Sequence, residues 1–331
     1  MNKKCFHLAA SYTENSGVNS LANLLFLDKD TTEVTINFNY LKWIELGPMT
    51  YLLGLLKGWQ ENDISLSLEG IAARSSPVCY MSRMNFFHLL GHQVAEKFNR
   101  QDAGNRFVEF KEITGRAADT ADVIADDMAT CITGGTNELD LFKFTDTPPE
   151  DGFYEAIAYS VSELIKNIQQ HSCGNGFIGA QYYPKTDKTQ IAIIDTGIGI
   201  RESFERSSSP HAASIGNDLD ALNKALEAEV SSKTYKGDPL SASAENAGVG
   251  LTLLTDVAIQ ANGGYQLASG HALLHDQGSS FLGNAYKGTF ICLSFTRTEL
   301  DQFQNLLENA KSKFLGEVEV SSDTLEGIFE E

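Results

Sequence analysis

Three short groups of residues in this chain could do chemistry together. In the stretch DGFYEAIAYSVSELIKNIQQHS, Glu163, Asn167 and His171 fall at i, i+4 and i+8, so a helix would line them on one face. Asp195-x-Gly197-x-Gly199 follows the strand-like run Gln190 to Ile194. Gly248-x-Gly250 precedes an apolar helical pattern, and Gly288-Thr289 opens a late strand-like segment. An asparagine carbonyl oxygen is a hard ligand suited to Mg²⁺ held mainly by phosphates and water. Glu163, one turn earlier, can orient a water or hydroxyl as a general base. A strand-end carboxylate such as Asp195 can accept a hydrogen bond from the adenine amino group, where guanine presents a carbonyl instead. Glycines 197 and 199 remove side chains so that a base can lie against backbone. Glycines 248 and 250 let N–H groups at a helix start approach phosphates. The order reads as a pocket for a nucleotide and a divalent cation. His171 stays open between capping a helix end, where a cationic ring suits the dipole, and reaching a phosphate.

Other motifs are set aside on their residues. His88-x-x-x-His92 has no third ligand near it and lacks the His-Glu-x-x-His pattern. Asp195-Thr-Gly occurs once and continues into Gly-x-Gly, which argues against an aspartic protease. A dinucleotide-binding reading fails because Glu202 stands where the third glycine belongs.

The elements that must position these groups can be read in order. At 331 residues the chain is long enough for two units with their own cores. Alternation at 33–38 and 64–70 predicts strands, the apolar run 49–59 after Gly47-Pro48 predicts a buried helix, and 77–100 carries a long helical pattern. A strand at 107–113 and a helix at 120–132 follow. The chain is therefore expected to be α/β, with a small α/β domain over 1–145 and the linker TDTPPEDG at 145–152. The second unit spans 146–300, as an α+β two-layer sandwich with a mixed sheet. Within it, 201–247 is long and polar apart from a helix at 218–230, the character of a lid. An amphipathic helix at 300–314 and an acidic tail make up 301–331.

Bulk properties narrow the function classes. A formal charge of −19 argues against a phosphate-backbone binder, so nucleic acid is not an expected partner. Five scattered cysteines without a Cys-x-x-Cys pair suit reduced thiols. The first residues are too briefly apolar for a signal peptide, and the longest apolar run is too short for a bilayer. A soluble cytoplasmic protein with no membrane association is expected.

The three motifs, in this order and with a lid-length insertion between the second and third, resemble the GHKL ATPase superfamily. This is the Bergerat fold of gyrase B, Hsp-type chaperones, histidine kinases and MutL, and the resemblance covers roughly 150–298. It implies ATP and Mg²⁺ as cofactors, Glu163 as the catalytic residue and Asn167 as the metal ligand. It further implies nucleotide contacts from Asn167, His171, Asp195, Gly197, Gly199, Gly248, Val249, Gly250 and Leu251. Thr289 would supply a hydroxyl near the adenine. The Glu-x-x-x-Asn-x-x-x-His helix is close to that of anti-sigma-factor serine kinases. No upstream histidine sits in a phosphoacceptor box, which argues against a sensor kinase, and Asn246 replaces the first glycine of the usual Gly-x-Gly-x-Gly. Residues 33–90 resemble a STAS-type domain, although the turn 44–48 carries no serine or threonine to phosphorylate. Together these imply a regulatory protein that hydrolyses ATP slowly or phosphorylates a protein partner docked on the N-terminal domain. A non-enzymatic, ATP-gated interaction module is the alternative. ATPases of this class often work as dimers, which leaves a homodimer open.

Overall fold

The structure is a computed structural model. It describes residues 2–302 except 73–74, 97–98, 101–102, 104–105, 115–117, 135–152, 173, 208, 210 and 228–248. The first elements are β1 (Asn2–His7), β2 (Ser11–Tyr12), α1 (Gly17–Leu24), β3 (Thr31–Asn37), β4 (Trp43–Ile44), α2 (Leu46–Glu61) and β5 (Ser65–Glu69). β1, β3 and β5 form a parallel sheet in that order, and β2 pairs with β4, also parallel. Parallel neighbours need crossovers, and α1 and α2 supply them.

The long helix expected over 77–100 is instead two short ones, α3 (Ser76–Arg83) and α4 (Phe86–Leu89). Asn85 takes a left-handed conformation (φ 64°) and Gly91 another (φ 79°), and each turns the chain out of a helix. Phe86 and Phe87 are still buried, edge-on to Phe38.

The remaining elements are β6 (Phe107–Ile113), α5 (Ala118–Thr133), α6 (Phe153–Asn167), β7 (Gly176–Tyr183), β8 (Lys188–Asp195), α7 (Ile200–Arg206), α8 (Asp218–Ala225), α9 (Val249–Gln260), β9 (Gly264–His275) and β10 (Gly278–Thr296). Their five strands lie in the order β6-β7-β8-β10-β9, and every pairing is antiparallel. The expectation of a mixed sheet is corrected in this respect. Tight connections such as 184–187 and 276–277 join β7 to β8 and β9 to β10, and such short loops can only reverse a strand.

The chain is thus α/β, helices packed on sheets, and the five-stranded sheet is covered on both faces. Ile191, Ile193 and Leu293 pack with α5, α6 and α9 on one side. Ala192, Ile194, Phe290 and Cys292 pack with α1 and α2 on the other. A strand buried on both faces has no polar face to alternate, and β8 accordingly reads QIAIID. The sheets also do not divide at 145/146. β6, from the first half of the chain, pairs with β7 of the second. The expected linker 145–152 lies outside the described residues, as do most of the lid beyond α8 and the helix and tail after Gln302.

α2 is the wedge between the two sheets. Ten of its first eleven residues, Leu46 to Leu56, are buried. It comes close because two glycines face the large sheet. A Cβ at Gly47 would lie 2.9 Å from Cys292 Sγ, and one at Gly54 would lie 2.4 Å from Ile194 Cδ1. Between them Tyr51 sets its ring 5.2 Å from Tyr286 and 5.6 Å from Phe290, aromatic burial worth on the order of 3 kcal/mol. Polar contacts tie the same seam, with Gln266 Nε2 donating to the Glu14 carbonyl at 2.6 Å and Lys188 paired with Glu14. Gly58, one turn further on, has nothing within 4 Å of a Cβ. Gly58→Ala is therefore expected to stabilise the fold by about 0.5–1 kcal/mol, because it removes only helix-interior backbone freedom. A higher denaturant midpoint with an unchanged slope checks this.

No helix among the described residues is long and apolar enough to cross a membrane.

Candidate functional site

Asp195 ends β8, the middle strand of the large sheet, and is 3% exposed. Its Oδ1 accepts the Gly197 N–H at 2.8 Å, the reach two residues on that Asp makes in turns. Its Oδ2 accepts the Thr289 N–H at 3.2 Å, and its backbone carbonyl accepts the Tyr286 hydroxyl at 2.6 Å. Burial pushes the carboxyl up to about 6, against the opposing pull of the Gly197 and Thr289 donors. The Thr289 side chain bonds the carboxyl as well, so three of its roughly four lone-pair sites are in use.

The turn after Asp195 is packed by the protein itself. A Cβ at Gly197 would stand 1.8 Å from the Ser172 carbonyl oxygen, which also accepts the Ile198 N–H at 2.9 Å. Gly199 caps α7 at φ 78°, and a Cβ there would meet Ser269 Oγ at 2.6 Å and the Gly288 carbonyl at 3.1 Å. Ser269 Oγ donates to that carbonyl at 2.8 Å and accepts the Ile200 N–H at 3.0 Å. In this structure the space freed by these two glycines is taken by neighbouring backbone and Ser269. Residues 174–175 brace the other side, with the Thr196 N–H donating to the Asn175 carbonyl at 2.9 Å.

α6 lies on the helical face of the sheet through Ile157, Val161, Leu164, Ile165 and Ile168, an apolar stripe at helical spacing. Glu163 and Asn167 sit off that stripe. Glu163 is half-buried and paired with Lys166 at 3.4 Å, while Asn167 is exposed. Lys166 lies 3.5 Å from Asp122 of α5 as well. After Asn167 the helix widens into a π-helical turn, Ile168–Ser172, of the kind that recurs at functional sites. His171 falls in this turn, and its side chain lies outside the described residues. The same turn carries Ser172 to the Asp195 loop, so the first and second sequence groups are joined through one backbone carbonyl.

α9 begins at Val249, with Gly250 in its first turn and Leu251 packed between two apolar clusters. Gly248 lies outside the described residues. Thr289 reaches Asp195 through its backbone N–H as well as its side chain. Among the described residues there is no group of three or more His, Cys, Asp or Glu that could hold a metal ion.

Sequence reasoning missed Tyr286, Ser172, Ser269 and Asn175. Tyr286 lies two residues before Gly288 on an alternating strand and could have been flagged. The other three reach the turn only through tertiary packing.

No protein-family model matches the chain, and no curated protein matches it.

Proposed function

We propose that the chain is an ATP·Mg²⁺-binding regulatory protein of the GHKL type, with the Bergerat arrangement over β7 to β10. The observation that carries this reading is Asp195, a carboxylate buried at the end of a central strand and pushed toward its protonated form by that burial. An adenine amino group would be a further donor to it, and ionising the buried acid becomes less costly once such a donor arrives. The start of a helix such as α9 has N–H groups without partners inside the helix, the kind of donor a phosphate accepts from. The exposed Asn167 presents its side-chain oxygen where phosphates and water could complete an octahedral Mg²⁺ shell. Bound ATP would supply the transferable phosphoryl group. Glu163 would hold a water or a partner's hydroxyl for attack, giving slow hydrolysis or phosphorylation of a protein partner. The N-terminal parallel sheet with its helices is the docking unit, STAS-like in this reading, and the setting is cytoplasmic. The site is tested by calorimetric titration with a non-hydrolysable ATP analogue and Mg²⁺. Saturable one-site binding is expected, and the absence of heat at high ligand sinks the proposal.

The pairing of Glu163 with Lys166 favours a second reading, a module gated by ATP without turnover, because a carboxylate engaged by a lysine is a poorer base. Phosphate release separates the two. If Glu163 is the base, Glu163→Ala is expected to lower the rate by about 10²- to 10⁴-fold, while nucleotide affinity holds. Equal background rates in both proteins, with binding retained, select the module.

A further inference from the structure

We propose that α2 is the positioning element of the Asp195 turn, acting at Tyr286 and at the Glu61–Asn175 pair, so that the N-terminal unit and the nucleotide pocket are energetically coupled. The inference rests on the nucleotide reading above and extends it to how that site is controlled. It stands on two contacts that flank one turn. On the first side, Gly54 lies so close to the sheet that an added Cβ would touch Ile194 Cδ1 at 2.4 Å and the Tyr286 hydroxyl at 2.6 Å. Ile194 directly precedes Asp195. The Tyr286 hydroxyl is the group that donates to the Asp195 carbonyl at 2.6 Å. Tyr51, one helical turn before Gly54, holds the Tyr286 ring from the same face. Tyr286 is fully buried, and burial raises its hydroxyl far above the ordinary tyrosine value, so it stays a neutral donor.

On the second side, Glu61 at the end of α2 accepts a hydrogen bond from Asn175 Nδ2 at 2.7 Å. Asn175 in turn pairs with Thr196 by backbone and side chain, its N–H donating to Thr196 Oγ1 at 3.2 Å. The last two turns of one helix therefore touch both the residue before Asp195 and Asn175, which braces the residue after it. α2 is rigidly seated along the rest of its length, with its first N–H donating to the Tyr183 hydroxyl at 3.0 Å. A shift of the N-terminal unit along this seam must either carry the turn with it or break these bonds. Coupling of this kind is reciprocal, so nucleotide must also stiffen α2.

Two variants and one exchange measurement test it. Tyr286→Phe keeps the ring and removes the hydroxyl. It is expected to weaken the ATP analogue by about fivefold, the worth of one ordinary hydrogen bond. Glu61→Gln, on an exposed pair, keeps an acceptor but removes its charge and is expected to weaken it by about twofold. In wild type, saturating analogue is expected to slow amide exchange across residues 52–61, and Tyr286→Phe to reduce that slowing. A merely structural tyrosine would not link nucleotide to exchange in α2. Binding with no change in α2 exchange overturns the proposal, as does unchanged affinity in both variants. If wild type binds no nucleotide, the function proposed above fails. The coupling is then judged on ligand-free exchange at 196–198, which must quicken in both variants for it to survive.

Discussion

Replacing Asp195 with alanine is expected to weaken the ATP analogue by about 10- to 100-fold, the loss of a hydrogen bond to a charged, buried acceptor. The same variant has a second signature. The Asp195 carboxyl sits at about 6 in the folded chain against an ordinary 3.8. Between those values the folded state holds a proton that the unfolded state has lost, so stability is greatest at or below pH 4 and falls as pH rises to about 6, then levels. The full swing is about 3 kcal/mol at most, roughly two pKa units. Asp195→Ala should lack this slope, and the difference between wild-type and variant denaturation curves at pH 4, 5, 6 and 7 isolates it. Nucleotide affinity in wild type should fall as pH drops through the same range, because a protonated acid gives up an acceptor. Equal affinity of wild type and variant would remove Asp195 from the site. Equal pH slopes would mean that solvent reaches the carboxyl.

Gly197→Ala is expected to be the most damaging single methyl in the turn. The new carbon would lie 1.8 Å from a backbone carbonyl, which cannot rotate aside as a long side chain can. Forcing the turn and the π-helical end of α6 apart should cost about 3 kcal/mol or more, at the upper end of overpacking. It should also abolish analogue binding in whatever fraction stays folded. Denaturant midpoints for Gly197→Ala beside Gly58→Ala make the comparison, since they add the same atom in a crowded and an open place. A midpoint for Gly197→Ala at the wild-type value would show that Ser172 moves freely.

Much of the second half was legible in the sequence because its strands carry their own signals. The run 191–194 is apolar without interruption and leads to an aspartate and two glycines, which fixes both the strand and its turn. The late segment opened by Gly288-Thr289 reads as a strand of its own, whereas it is the second half of β10, which runs from Gly278 to Thr296. Register shifts between Phe281 and Tyr286 and between Tyr286 and Phe290 break the alternation that would have joined the two halves. The π-helical turn was invisible because 168–172 continues an ordinary helical pattern, and only the demand of Ser172 on the Asp195 loop explains it. The membership of β6 could not be read either. FVEFKEI is a strand by pattern, but its partner lies more than sixty residues on, and no local property names it. The closeness of α2 to the large sheet was likewise hidden, although Gly47 and Gly54, seven residues apart on one face, were its trace.

The pairing of Thr289 with Asp195 also bears on biosynthesis. The strand that closes the Asp195 turn is made well after it, so a nascent chain lacks the turn's second donor until some ninety residues beyond Asp195 have been joined. From the end of α2 at Glu61 to Thr289 at about 5–20 residues per second, roughly 11 to 46 seconds pass during which the side of α2 that faces the large sheet lacks β10. The apolar face of α2 must be shielded over that interval, by local collapse or by a chaperone. A truncated product released before β10 should therefore aggregate rather than compete for nucleotide with the finished protein.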